Sequence, residues 1–132
     1  MFTHEEITKD LSRAKKFFEN IVSFTVGPFT LEDMSQHRLE SINIVDVRDY
    51  DDYIDGHLPY AIHFPTKEIE AHMDMLEKNK VNVLYTYSDS CTKAYNTALV
   101  LLENDFPCVV LRGGFKEWKK HDLDIVKNSS EN

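Results

Sequence analysis

The residues of this chain best placed to do chemistry lie in one short stretch. YTYSDSCTKA, residues 85–94, follows an apolar run that reads as a strand and precedes one that reads as a helix. In open α/β sheets, ligands bind outside the C-terminal ends of the strands, in loops of this kind. The loop consists of Thr86, Tyr87, Ser88, Asp89, Ser90, Cys91 and Thr92, with neither glycine nor arginine. Cys91 supplies its sulfur nucleophile, at or near the N-cap of a helix expected over 92–104. Free N–H groups and the helix dipole favour a thiolate there. An inert thiol packed at a helix start is the competing reading.

Other candidates carry weaker signals. Cys108 opens an apolar strand and is expected in the core. One cysteine follows a strand and the other starts one, so a disulfide between them is not expected. Two cysteines do not make a disulfide framework. The six histidines pair with no cysteine or carboxylate at a zinc spacing, so neither metal nor cofactor is expected. Asp46 and Arg48 stand two apart on a strand and face the same way. They read as a structural ion pair that holds the next loop. Gly56 ends a short helix and is expected to take a left-handed cap. His57 is then a packed, hydrogen-bonded loop residue rather than a general base. Gly113 and Gly114 permit a tight turn before the last helix. With no Lys-Ser/Thr after them, they do not form a phosphate cradle. Trp118 reads as core.

Elements of two kinds must position these residues. Residues 3–24 spell an amphipathic helix, with Thr3 and Glu6 as a capping box and Ile7, Leu11, Ala14, Phe18 and Ile21 at helical spacing. Its apolar stripe is expected to pack on its own domain, the usual use of such a face. A homodimer contact is the alternative. Gly27-Pro28 breaks the chain, and Thr30 opens a second helix with Leu31, Met34 and Leu39. SINIVDVRD reads as a buried strand, and AIHFP as a short one. EIEAHMDMLEKN is helical and VNVLYTY is a strand. The next helix turns Ala94, Ala98, Leu101 and Leu102 inward. CVVLRGG is a strand, and FKEWKKHDLDIV a closing helix. Apolar strands alternating with helices imply a parallel sheet covered on both faces. The expected division is an N-terminal helix over 1–26, one α/β domain over 27–127 and a polar tail over 128–132.

Bulk properties set limits. A chain of 132 residues builds one domain with a modest core. A formal charge of -8 argues against nucleic acid and anionic lipid as partners. No apolar run approaches a membrane span or precedes a small-residue cleavage site. The expected compartment is the cytoplasm.

Three stretches in order resemble the rhodanese-like sulfurtransferase domains. The first supplies Asp46, Val47, Arg48, Tyr53, Gly56, His57, Pro59, Ala61 and Pro65. The last supplies Gly113, Gly114 and Trp118. Between them lies VNVLYTYSDSCTKAYNTALVLLENDF, where the family keeps its active-site strand, loop and helix. The resemblance covers about residues 29–126. It implies an α/β rhodanese-like fold, a parallel sheet of about five strands with helices on both faces, preceded here by an extra helix. It also implies sulfur carried as a cysteine persulfide, a small sulfur-containing or anionic substrate, or a protein acceptor.

In the register of that resemblance the family's cysteine falls at Thr86. Cys91 falls five positions later, where the family often has arginine. A threonine cannot hold a persulfide, so Cys91 becomes the candidate thiol. Asp89 would repel a divalent anion, and the ammonium of Lys93 lacks the planar fork of arginine. Two functions compete. One is sulfur transfer or persulfide carriage through Cys91. The other is a catalytically inactive module that binds a protein or a small anion. Protein phosphatase chemistry would need an arginine soon after the cysteine, and Arg112 is too distant.

Overall fold

The computed structural model describes residues 9–128. Five strands form one parallel sheet: β1 (Thr25–Val26), β2 (Ile42–Asp46), β3 (Ala61–His63), β4 (Val81–Tyr85) and β5 (Cys108–Leu111). Their order is β1-β5-β4-β2-β3. Helices α1 (Leu11–Phe24), α2 (Pro28–His37), α3 (Tyr50–Asp55), α4 (Ile69–His72), α5 (Lys93–Glu103) and α6 (Gly114–Lys120) connect or flank them.

Apolar side chains on both faces of the central strands account for the two-sided cover. On one face, Val45, Leu84 and Val110 pack with Ile69 of α4 and Ala94 and Leu101 of α5. On the other, Ile44, Val83 and Leu111 pack with Leu31 of α2 and Phe115 and Trp118 of α6. A fully buried Val, Leu, Ile or Phe among them contributes roughly 1.5–3 kcal/mol. The expected α/β sheet is present. The fifth strand is the pair Thr25–Val26, which hydrogen-bonds beside β5 at the sheet edge. Two residues are too few to show a strand periodicity.

Several local expectations change. The α1 stripe packs on the domain only in part: Leu11 and Phe18 are exposed, Ala14 and Ile21 are half-buried, and no residue of the helix is fully buried. Asp10 caps it, accepting from the Arg13 N–H at 3.0 Å. The Thr3–Glu6 box and Ile7 lie outside the described residues. α2 begins at Pro28 rather than Thr30, because proline suits the first helical turn. The helix expected after Pro65 is broken, with 3-10 turns on either side of the short α4. Thr97, not Leu102, faces inward from α5. Its hydroxyl is satisfied by the Lys93 carbonyl at 2.7 Å. The closing helix stops at Lys120, and Val126 then bridges antiparallel to His57. None of the described helices is long and apolar enough to cross a membrane.

Candidate functional site

The site is built from its floor upward. Sheet register sets Asp46, the last residue of β2, beside Tyr85, the last of β4. The Asp46 carboxylate is fully buried and accepts from three directions. Arg48 Nη2 donates to Oδ2 at 2.7 Å, its Nε to Oδ1 at 3.0 Å, and the Tyr85 hydroxyl to Oδ2 at 2.6 Å. Arg48 Nη2 also donates to the Gly56 carbonyl at 2.6 Å, and its guanidinium lies 4.3 Å from the Phe115 ring centroid. Burial disfavours the Arg48 charge, but the bonds and charge of Asp46 outweigh it and raise the pKa. Burial, and then Asp46, push the Tyr85 hydroxyl far up, so it stays a donor. These three residues form one buried hydrogen-bonded group beneath the loop.

Gly56 differs from expectation. Its φ of 169° is extended backbone, not a left-handed cap. Space constrains it instead: an added Cβ would lie 3.3 Å from the Phe115 ring. His57 is buried, its Nδ1 lies 2.9 Å from the Tyr53 carbonyl, and its ring stacks on Tyr53 at 3.8 Å. It is a packed loop residue. Trp118 is core, and its indole N–H donates to the Asp124 carbonyl at 2.8 Å.

The loop leaves β4 at Thr86, whose side chain is buried. Its hydroxyl donates to the sulfur of Cys91 across 3.7 Å. The Cys91 N–H turns back to the Ser88 carbonyl at 3.1 Å, which closes the loop. Cys91 is partly exposed and lies two residues before the first residue of α5, with Thr92 as the N-cap. Its thiol is held below the ordinary cysteine range, first by the Lys93 backbone N–H and then by the Thr86 hydroxyl. Partial burial opposes them, and the Lys93 charge adds a smaller pull. That ammonium is shared with Asp49, 3.9 Å away. Cys108 behaves oppositely: burial pushes its thiol up to about 11. It pairs with Asn82 near the start of β4, at the other end of the strand from the loop, and both cysteines are free.

The glycine pair does more than turn the chain. Gly113 and Gly114 take φ of 84° and 64°, in the left-handed region. The turn lets the Phe115 N–H reach the Thr86 carbonyl at 2.9 Å and the Lys116 N–H reach the Tyr87 carbonyl at 2.8 Å. A Cβ on Gly114 would lie 2.6 Å from that Thr86 carbonyl oxygen. Asp89 has a role that the sequence did not suggest. Its Oδ1 accepts the Gly113 N–H at 2.9 Å and the Tyr95 hydroxyl at 3.4 Å, tying the loop to α5 and α6. Ser88 and Ser90 meet at 2.7 Å between hydroxyl oxygens, while Tyr87 is exposed. The structure thus gathers 86–92, Gly113 and Gly114 at one sheet edge. Asp46, Arg48 and Gly56 lie beneath them through Phe115.

Residues 30–121 match the rhodanese-like domain model. The chain belongs to the rhodanese-like domain family. It is 32% identical over 92 residues to the thiosulfate sulfurtransferase GlpE of Coxiella burnetii, covering 69% of this chain and 84% of that protein. It is 30% identical over 104 residues to a sulfurtransferase of Allochromatium vinosum, covering 76% and 95%. The crystal structure of the BH2092 protein of Bacillus halodurans superposes with a TM-score of 0.79 at 27% identity, covering 88% of this chain and 85% of that one. Thr86 is the residue that directly follows β4.

Proposed function

We propose that this rhodanese-like chain transfers sulfane sulfur and that Cys91 carries it. Its sulfurtransferase relatives support the reaction class. The observation that carries the residue assignment is the Thr86 hydroxyl, which donates to the Cys91 sulfur across 3.7 Å, beside the pull of the Lys93 backbone N–H that holds the thiol low. Both favour thiolate over thiol. The thiolate attacks the outer sulfur of a donor R–S–SH. A new S–S bond forms as the donor's S–S bond breaks, and R–S⁻ leaves with the electron pair. Cys91 then holds –S–SH, with no net oxidation. An acceptor thiolate attacks that outer sulfur and releases the Cys91 thiolate.

The donor is better read as a persulfide than as thiosulfate. Asp89 adds negative charge to the loop, no arginine stands in it, and Lys93 is shared with Asp49. The acceptor is a small thiol or a protein cysteine. A reducing cytoplasm suits two free cysteines.

Thr86 supports a second reading. With a hydroxyl where the family has its nucleophile, the loop would be an inactive module that binds a protein or a small anion. Steady-state sulfur transfer from a low-molecular-weight persulfide to a dithiol, read as sulfide release, separates the two. The proposal expects turnover in the native chain and none above background in Cys91→Ala. Equal rates in both would leave the binding reading.

A further inference from the structure

The N-terminal helix presents two apolar faces, and the fold uses neither fully. On one face, Phe17, Ile21 and Phe24 wall a groove of about 700 Å³. Leu99 and Leu102 of α5 form the opposite wall, and Val109 of β5 lies between. The other face carries Leu11, Phe18 and Val22, which are 74%, 63% and 76% exposed. Their spacing of seven and then four residues aligns them as one stripe. Large contiguous apolar surface on a soluble chain marks an interaction site.

We infer that the groove between α1 and α5 receives the outer stripe of α1 from a second copy of this chain, reciprocally. A groove walled by two helices takes an amphipathic helix with anchors at this spacing. Charge favours the same occupant. Along α1 and its cap, Arg13, Lys15 and Lys16 outnumber Asp10 and Glu19, in a chain whose formal charge is -8. Glu103 and Asp105 stand at the end of α5, where Leu102 and Pro107 edge the groove. Positive charges of the docking helix beside the acidic end of α5 are complementary in sign. Size fits as well. A standard interface takes about 20–30 residues a side, and the 14 residues of α1 with the groove walls are of that order. Each copy gives one helix and one groove, so a two-fold closes the assembly without open polymerisation. The groove also borders the loop, since Tyr95 lines it and bonds Asp89.

Sedimentation velocity of the full chain across the micromolar range tests this, with Phe18→Asp on the helix and Leu99→Asp in the groove. Both positions are exposed in the single chain, so circular dichroism should show folding retained. The expected result is a dimer of the native chain, weakened roughly thirtyfold or more by either change, as for residues central to an interface. A mixture of the two variants keeps one undamaged helix-groove contact per pair and should associate more tightly than either alone. A native chain that stays monomeric at every concentration would overturn the inference. So would a dimer that both substitutions leave intact, or variants that gain nothing on mixing.

Discussion

The hydroxyl of Thr86 points its proton at the sulfur of Cys91, 3.7 Å away. The two positions are five residues apart, and the turn closed by the Cys91 N–H and the Ser88 carbonyl brings them together. Thr86 lacks sulfur, yet it acts on the sulfur that the loop does hold. Thr86→Val keeps the volume and removes the donor. The Cys91 thiol should then titrate at higher pH, because a bond to the charged form has been lost. Iodoacetamide rates measured against pH report this. A profile that does not move would assign the whole effect to the Lys93 N–H.

The two cysteines should separate cleanly by pH. Cys91 is held low, so its thiolate is present at lower pH than in a free cysteine. Cys108 is raised to about 11 by burial. The sign for Cys108 follows from linkage: the folded chain keeps a proton that the unfolded chain releases. Its stabilising effect is complete below the unfolded pKa of about 8.5 and is lost as pH rises toward the folded value. Native protein near about pH 8 should therefore take one iodoacetamide adduct, on Cys91. An adduct on native Cys108 at the same pH would contradict this.

Gly114→Ala should loosen the loop. At a φ of 64° a side chain costs about 1–3 kcal/mol. The added Cβ would also meet the Thr86 and Tyr87 carbonyl oxygens at 2.6 and 2.7 Å. Those carbonyls bind the α6 N–H groups, so the backbone on both sides must shift. Urea unfolding should show the loss, and Cys91 labelling should change with it. Unaltered stability would argue against this packing of loop and helix.

Arg48→Met tests the pair of Asp46 and Arg48. It leaves the Asp46 carboxylate buried without its cation, which typically costs about 3–5 kcal/mol. Urea midpoints with an unchanged slope would measure it. A loss below about 1 kcal/mol would show that the pair is replaceable.

Much of the architecture was legible because the core strands are short apolar runs between helical periods. Val81–Tyr85 and Cys108–Leu111 lie where β-branched and apolar residues cluster. The edge strand Thr25–Val26 was not, since two residues carry no pattern and its pairing with β5 is set by tertiary contact. The exposed stripe of α1 shows the same limit: periodicity identifies an apolar face but not what covers it. In the site, the spacing of Asp46 and Arg48 announced an ion pair, while the third member, Tyr85, came only from sheet register. Asp89 looked like a repelling charge, and its contacts with Gly113 and Tyr95 depend on three separate segments meeting. Gly56 followed space rather than left-handed backbone.

Intact-mass spectrometry of the native chain after brief incubation with a persulfide donor tests the sulfur-carrying role of Cys91 most directly. The predicted product gains the mass of one sulfur atom, peptide mapping places it on Cys91, and Cys91→Ala shows no gain. A native chain that gains no sulfur from any persulfide donor, or an adduct that survives in Cys91→Ala, would contradict it.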